Sequence, residues 1–107
     1  MKMEKMDGPE NFLQRSNRKV SEAFLQQARA RWELDDPDGA LNELRLAITC
    51  DPGHPEIFAL RGMILARKGM THAARRNIHH ALKLGGSGWA YAGLVGECLK
   101  RIVAPAA

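Results

Sequence analysis

Apolar residues in the middle of the chain recur at steps of three and four, the period of a helix with one buried face. The whole pattern then returns 34 residues later. Val20, Phe24, Ala28 and Arg31 mark one such stripe, and Ala40, Leu44, Ala47 and Ile48 mark the next. A shift of 34 carries Ala40, Leu44, Ala47 and Pro52 onto Ala74, Ile78, Ala81 and Gly86, and Phe24, Ala28 and Arg31 onto Phe58, Gly62 and Leu65. The same shift carries Gly62 and Leu65 onto Gly96 and Leu99, so one unit is written about two and a half times.

The positions that stay small give the repeat its physical meaning. Two antiparallel helices approach to roughly 8 to 10 Å only where their contact residues lack bulk. Ala28, Gly62 and Gly96 supply that notch on the first helix of each unit, and Ala40 with Ala47, then Ala74 with Ala81, supply it on the second. Phe24 or Phe58 and Leu44 or Ile78 fill the flanks. The expected fold is all-α, a superhelix of antiparallel helix hairpins with about five helices, over 18–34, 37–50, 55–68, 71–84 and 88–102.

Local signals punctuate these helices. Asp36 suits an N-cap, Pro37 the first helical position and Asp38 the positive helix end. Pro55 and Glu56 repeat that logic, Ser21 and Thr71 are expected to cap their helices, and Gly69 is expected to take a left-handed C-cap. Asp51 before Pro52 leaves helical geometry. Residues 1–17 show no period and read as a flexible tail, with Phe12 and Leu13 as its one apolar pair. The repeats are then 21–54 and 55–88, a capping helix spans 88–102, and 103–107 form a disordered end.

On these residues the chain resembles the tetratricopeptide repeat family. Phe58, Gly62, Leu65, Ala74, Ile78 and Ala81 stand where that family places its large and small residues. The first unit departs at Arg31, where an apolar residue is usual, and at Asp35, where Gly69 makes the turn in the next unit. Ala92 replaces a large residue in the third. The resemblance implies a concave groove lined by the first helices, with Leu25, Arg29 and Trp32, then Ala59, Met63, Ala66 and Arg67, then Glu97, Lys100 and Arg101 facing it. It further implies binding of a helical or extended segment of another protein, with Trp32 as the anchor. Size and groove are similar to those of the small tetratricopeptide chaperones of bacterial type III secretion. The carboxylate clamp of heat-shock co-chaperones is excluded, since Leu25 and Leu60 stand where it needs polar side chains.

Composition narrows the rest. With 107 residues the chain makes one domain, and its net charge of +4 is unevenly placed. Residues 1–53 hold eight Lys/Arg against ten Asp/Glu, and residues 54–107 hold eight against two, which favours an acidic partner segment. No apolar run reaches a membrane span, and the start lacks the apolar centre of a signal peptide, so a cytoplasmic protein is expected. Cys50 and Cys98 form neither a disulfide framework nor a metal-type pair.

Catalysis finds no nucleophile setting, paired carboxylates or ligand cluster, and no enzyme activity, metal or cofactor is expected. Asp35, Asp36 and Asp38 are explained by helix capping, and His79 and His80 point about 100° apart, poorly placed to share one ion. The second functional reading is anion or nucleic-acid binding through the basic convex helix 71–84, which carries His72, Arg75, Arg76, His79, His80 and Lys83. Nucleic acid is the lesser reading because no aromatic stacking platform adjoins that side. Two and a half units bury a thin core, which points to a partner or to homo- or hetero-oligomers.

Overall fold

Among the described residues five helices follow one another in the order α1 (Pro9–Glu33), α2 (Pro37–Cys50), α3 (Pro55–Arg67), α4 (Thr71–Gly85) and α5 (Ala92–Val103). The computed structural model describes residues 9–86 and 88–103, with side chains described for 17–86 and 88–102. The architecture is all-α. Among the described residues no helix is long and apolar enough to cross a membrane.

α1 begins nine residues before the expected 18. Pro9 opens it with the chemistry that Pro55 brings to α3, a fixed φ at the first position, where no N–H is needed. Residues 9–17 are therefore helical rather than a tail. Residues 1–8 of the expected tail, the side chains of Phe12 and Leu13, and 104–107 of the expected disordered end 103–107 lie outside the described residues, while Val103 is the last residue of α5.

α1 and α2 run antiparallel, as the contacts along their seam show. Arg31 Nε donates to Glu43 at 3.0 Å, Ser21 Oγ to the carbonyl of Ala47 at 3.0 Å and Arg18 Nε to Asp51 at 3.2 Å, one partner climbing as the other descends. Ser21 is thus fully buried in mid-helix and caps nothing. α3 and α4 pair in the same sense, since a Cβ on Gly62 would meet Ile78 Cδ1 at 2.6 Å while Phe58 stands edge-on to His80 at 4.4 Å. The small residues behave as expected in both hairpins: Ala28, Ala40, Ala47, Ala74 and Ala81 are all fully buried.

Gly96 is different. A Cβ there would meet nothing within 4 Å. Its equivalents Ala28 and Gly62 are pressed by the second helix of their own unit, and after α5 no such helix follows among the described residues.

The core falls into two clusters joined by α3. Leu25, Leu44, Ile57, Leu60 and Ile64 centre the first, and Phe58, Ala59, Ile78, Ala81 and Val95 form the second. α3 gives side chains to both, which is why it is apolar on nearly every side. Turns close the ends as the residues suggest. The Asp36 carboxylate accepts from the Gly39 N–H at 3.0 Å, and Asp51 turns extended before Pro52. Thr71 is the first residue of α4 rather than its cap, a place taken by Met70 without a side-chain bond.

Candidate functional site

A cavity of about 270 Å³ opens where α1, α3 and α5 come together. Helical spacing puts its lining there. Glu56, Ala59, Leu60 and Met63 lie on one side of α3 at steps of three and four, and Leu94, Val95 and Cys98 do the same on α5. Arg29 closes the α1 side, its guanidinium 3.3 Å from the Glu56 carboxylate. Trp89 and Tyr91 close the other, with ring centroids 5.9 Å apart and nearly perpendicular.

The segment that carries those two aromatics is a turn and not the start of α5. Trp89 N–H donates to Gly86 O at 3.2 Å and Ala92 N–H to Trp89 O at 3.0 Å, so the last helix starts at Ala92 instead of 88. Gly86, at φ 71° and ψ 179°, takes a conformation that essentially only glycine adopts and so ends α4 sharply. The Trp89 ring then lies against Gly85, where a Cβ would sit 2.5 Å from ring carbons. A bulkier residue at 85 would displace that wall.

Of the residues expected to face a groove, Arg29, Ala59 and Met63 meet in this cavity. Leu25 does not, being 1% exposed within the first core cluster. Trp32 packs against the same cluster, and Arg67 stands over its ring with Cζ 5.0 Å from the centroid. The expected anchor and the expected rim cation therefore satisfy each other. Ala66 is half-buried outside the cavity. Glu97 and Lys100 pair on the outer flank of α5 at 3.4 Å. Arg101 is exposed one turn beyond Cys98, on the cavity's side of the helix.

The 34-residue step does not indicate Leu60, Trp89, Tyr91, Leu94, Val95 or Cys98 as lining residues. The spacing of Tyr91, Leu94, Val95 and Cys98, at i, i+3, i+4 and i+7, was the available signal for a second apolar face on the last helix.

The mouth of the cavity is unusually apolar for a surface. Leu94 is 68% exposed, Tyr91 49% and Met63 38%, all three on the lining. Its charged content is the Arg29–Glu56 pair, which is already internally neutralised, so the site offers largely apolar contact with one fixed dipole at its edge. Among the described residues no three His, Cys, Asp or Glu are grouped to hold a metal ion. Cys98 is a free, half-buried thiol in the wall.

No protein-family model matches the chain, and no curated protein matches its sequence.

Proposed function

We propose that the chain is a non-enzymatic protein-binding module, an adaptor or chaperone built from tetratricopeptide-like hairpins, that takes an apolar anchor side chain of a partner segment into the cavity between α1, α3 and α5. The observation that carries this reading is the cluster of exposed Met63, Tyr91 and Leu94 around one concave site. A volume of about 270 Å³ falls just below the roughly 300 to 1,000 Å³ of small-molecule sites. It suits one or two side chains, and binding energy at interfaces concentrates in such anchors. Met63 adds an adaptable surface. The basic C-terminal half, with Arg101 beside the cavity, suits acidic residues flanking the anchor, on either a helical or an extended segment. Free Cys50 and Cys98 suit a reducing, cytoplasmic setting.

The test is selection of binders from a displayed peptide library, followed by titration of the best peptide against M63E and L94E variants. Both substitutions place a charge where the anchor would sit, and both residues are exposed enough to leave the fold intact. A loss of about tenfold or more in affinity is expected for each. Selected peptides that bind M63E and L94E as tightly as the unaltered chain would remove the cavity from the site.

A further inference from the structure

Opposite in character to the cavity is the outer face of α4. Between residues 72 and 83 the exposed side chains are His72, Arg76, His79, His80 and Lys83, with no apolar residue among them, His80 resting edge-on against Phe58. Arg75 joins them, half-buried, its Nη2 3.3 Å from His72 Nδ1. α4 contains no Asp or Glu. Among the described residues no carboxylate pairs with Arg75, Arg76 or Lys83 within 4.0 Å. α4 also contributes nothing to the cavity lining.

Positions 72, 75 and 76, 79 and 83 follow steps of three and four, so Arg75, Arg76 and Lys83, with His72 and His79 in line, form one row about 16 Å long on a rigid helix. That row offers charge without an apolar anchor. A protein interface draws most of its energy from buried anchors, which this face lacks. A phosphate backbone needs only cations that displace its condensed counterions. Missing aromatic platforms argue against single strands, whose bases stack on such rings, and leave duplexes untouched.

We propose that the outer face of α4 binds duplex nucleic acid along its phosphate backbone, without selecting base sequence. The contact is independent of the cavity, so the chain can hold a protein segment and a duplex at once.

Fluorescence anisotropy with two DNA duplexes of about 20 bp and unrelated sequence tests this. Both should bind alike, and log K should fall with log salt concentration at a slope near −3, the value for about three neutralised phosphates. The R76Q/K83Q variant, altered only at exposed positions and checked by circular dichroism, should bind about tenfold more weakly at low salt with a slope reduced by nearly two. The R76K/K83R variant should restore binding, and L94E should not affect it. Equal binding by R76Q/K83Q, a slope near zero, or tighter binding of the single strand would overturn the proposal. Displacement of the duplex by polyglutamate as readily as by unlabelled duplex would overturn it too, and would assign the face to an acidic protein.

Discussion

Asp35 and Gly69, one repeat step apart, close α1 and α3 by the same left-handed turn. Their φ angles are 62° and 84°. In each case the left-handed residue donates its N–H three residues back, Asp35 to Trp32 O and Gly69 to Ala66 O, and the next donates five back, Asp36 to Arg31 O and Met70 to Leu65 O. This is the paired capping pattern of helix C-termini, repeated with a residue that disfavours it and one that does not.

The two sites should therefore respond in opposite directions. D35G relieves a left-handed side chain and is expected to stabilise the chain by about 0.5 to 1 kcal/mol. G69A imposes that strain and should cost about 1 kcal/mol, although a Cβ at 69 would touch nothing within 4 Å. Urea unfolding at constant m-value reads both. A G69A variant as stable as the unaltered chain would refute the turn.

Gly62 and Gly96 make a second contrasting pair. At 62 an added methyl meets Ile78 Cδ1 at 2.6 Å and Cγ1 at 2.8 Å, with Ala74 O at 3.1 Å limiting retreat. The overpacking cost exceeds the helix-propensity gain of Ala over Gly, and G62A should lose about 1 to 2 kcal/mol. At 96 only the propensity gain remains, and G96A should gain up to about 1 kcal/mol. The first unit already holds Ala28 opposite Leu44 at the positions of Gly62 and Ile78, both fully buried. Hence G62A/I78L should recover much of the loss in thermal unfolding, whereas G62A alone should not.

Arg31 and Glu43 show one departure compensating another. In the second unit these positions are Leu65 and Asn77, and Leu65 is buried. In the first, Glu43 is buried at 7% exposure and is met by Arg31 at 3.0 Å, and the Gln27 amide nitrogen, turned toward it, donates to both carboxylate oxygens at 3.3 Å. Glu43, and then Asp36, hold the Arg31 guanidinium above its ordinary pKa. A cation so raised contributes stability that disappears only as pH rises through that higher value, so Arg31 itself should add no pH dependence between about 5 and 9.

Removing Arg31 alone leaves the buried carboxylate with Gln27 but no counter-ion, and R31L should melt below the unaltered chain. R31L/E43N rebuilds the second unit's pairing and should melt above R31L. If the double variant melts at or below R31L, the two residues do not compensate each other.

What could be read from the residues alone followed how local the chemistry is. Asp36, Pro37 and Gly69 act on their own neighbours, so the ends of α2 and α3 were legible. Pro9 carried the same start signal as Pro37 and Pro55, and the scattered charges around it hid it. Ser21 was not legible: a hydroxyl in a helix can cap locally or reach another helix, and only the pairing of α1 with α2 sets it on Ala47 O. The contact of Trp32 with Arg67 was not legible for a related reason, because Arg67 lies on the neighbouring first helix and the step of 34 does not show which side chains meet across units. The cavity depended on the turn at 88–91, whose path follows from Gly86.

That turn supplies the last prediction. Trp89 lies on Gly85 so closely that an alanine methyl would sit 2.5 Å from its ring carbons, and the ring is one wall of the cavity. Gly85 is the final residue of α4, beyond the buried Ala74, Ile78 and Ala81, so its substitution reaches the turn more than the hairpin. The chain has two tryptophans, and W32F leaves Trp89 as the sole reporter. In that background G85A should shift the emission of Trp89 to longer wavelength as the ring moves toward water. A peptide selected for the cavity should lose about tenfold in affinity, while the unfolding midpoint changes by less than for G62A. An unshifted spectrum together with undiminished peptide binding would mean that the ring does not rest on Gly85 in solution.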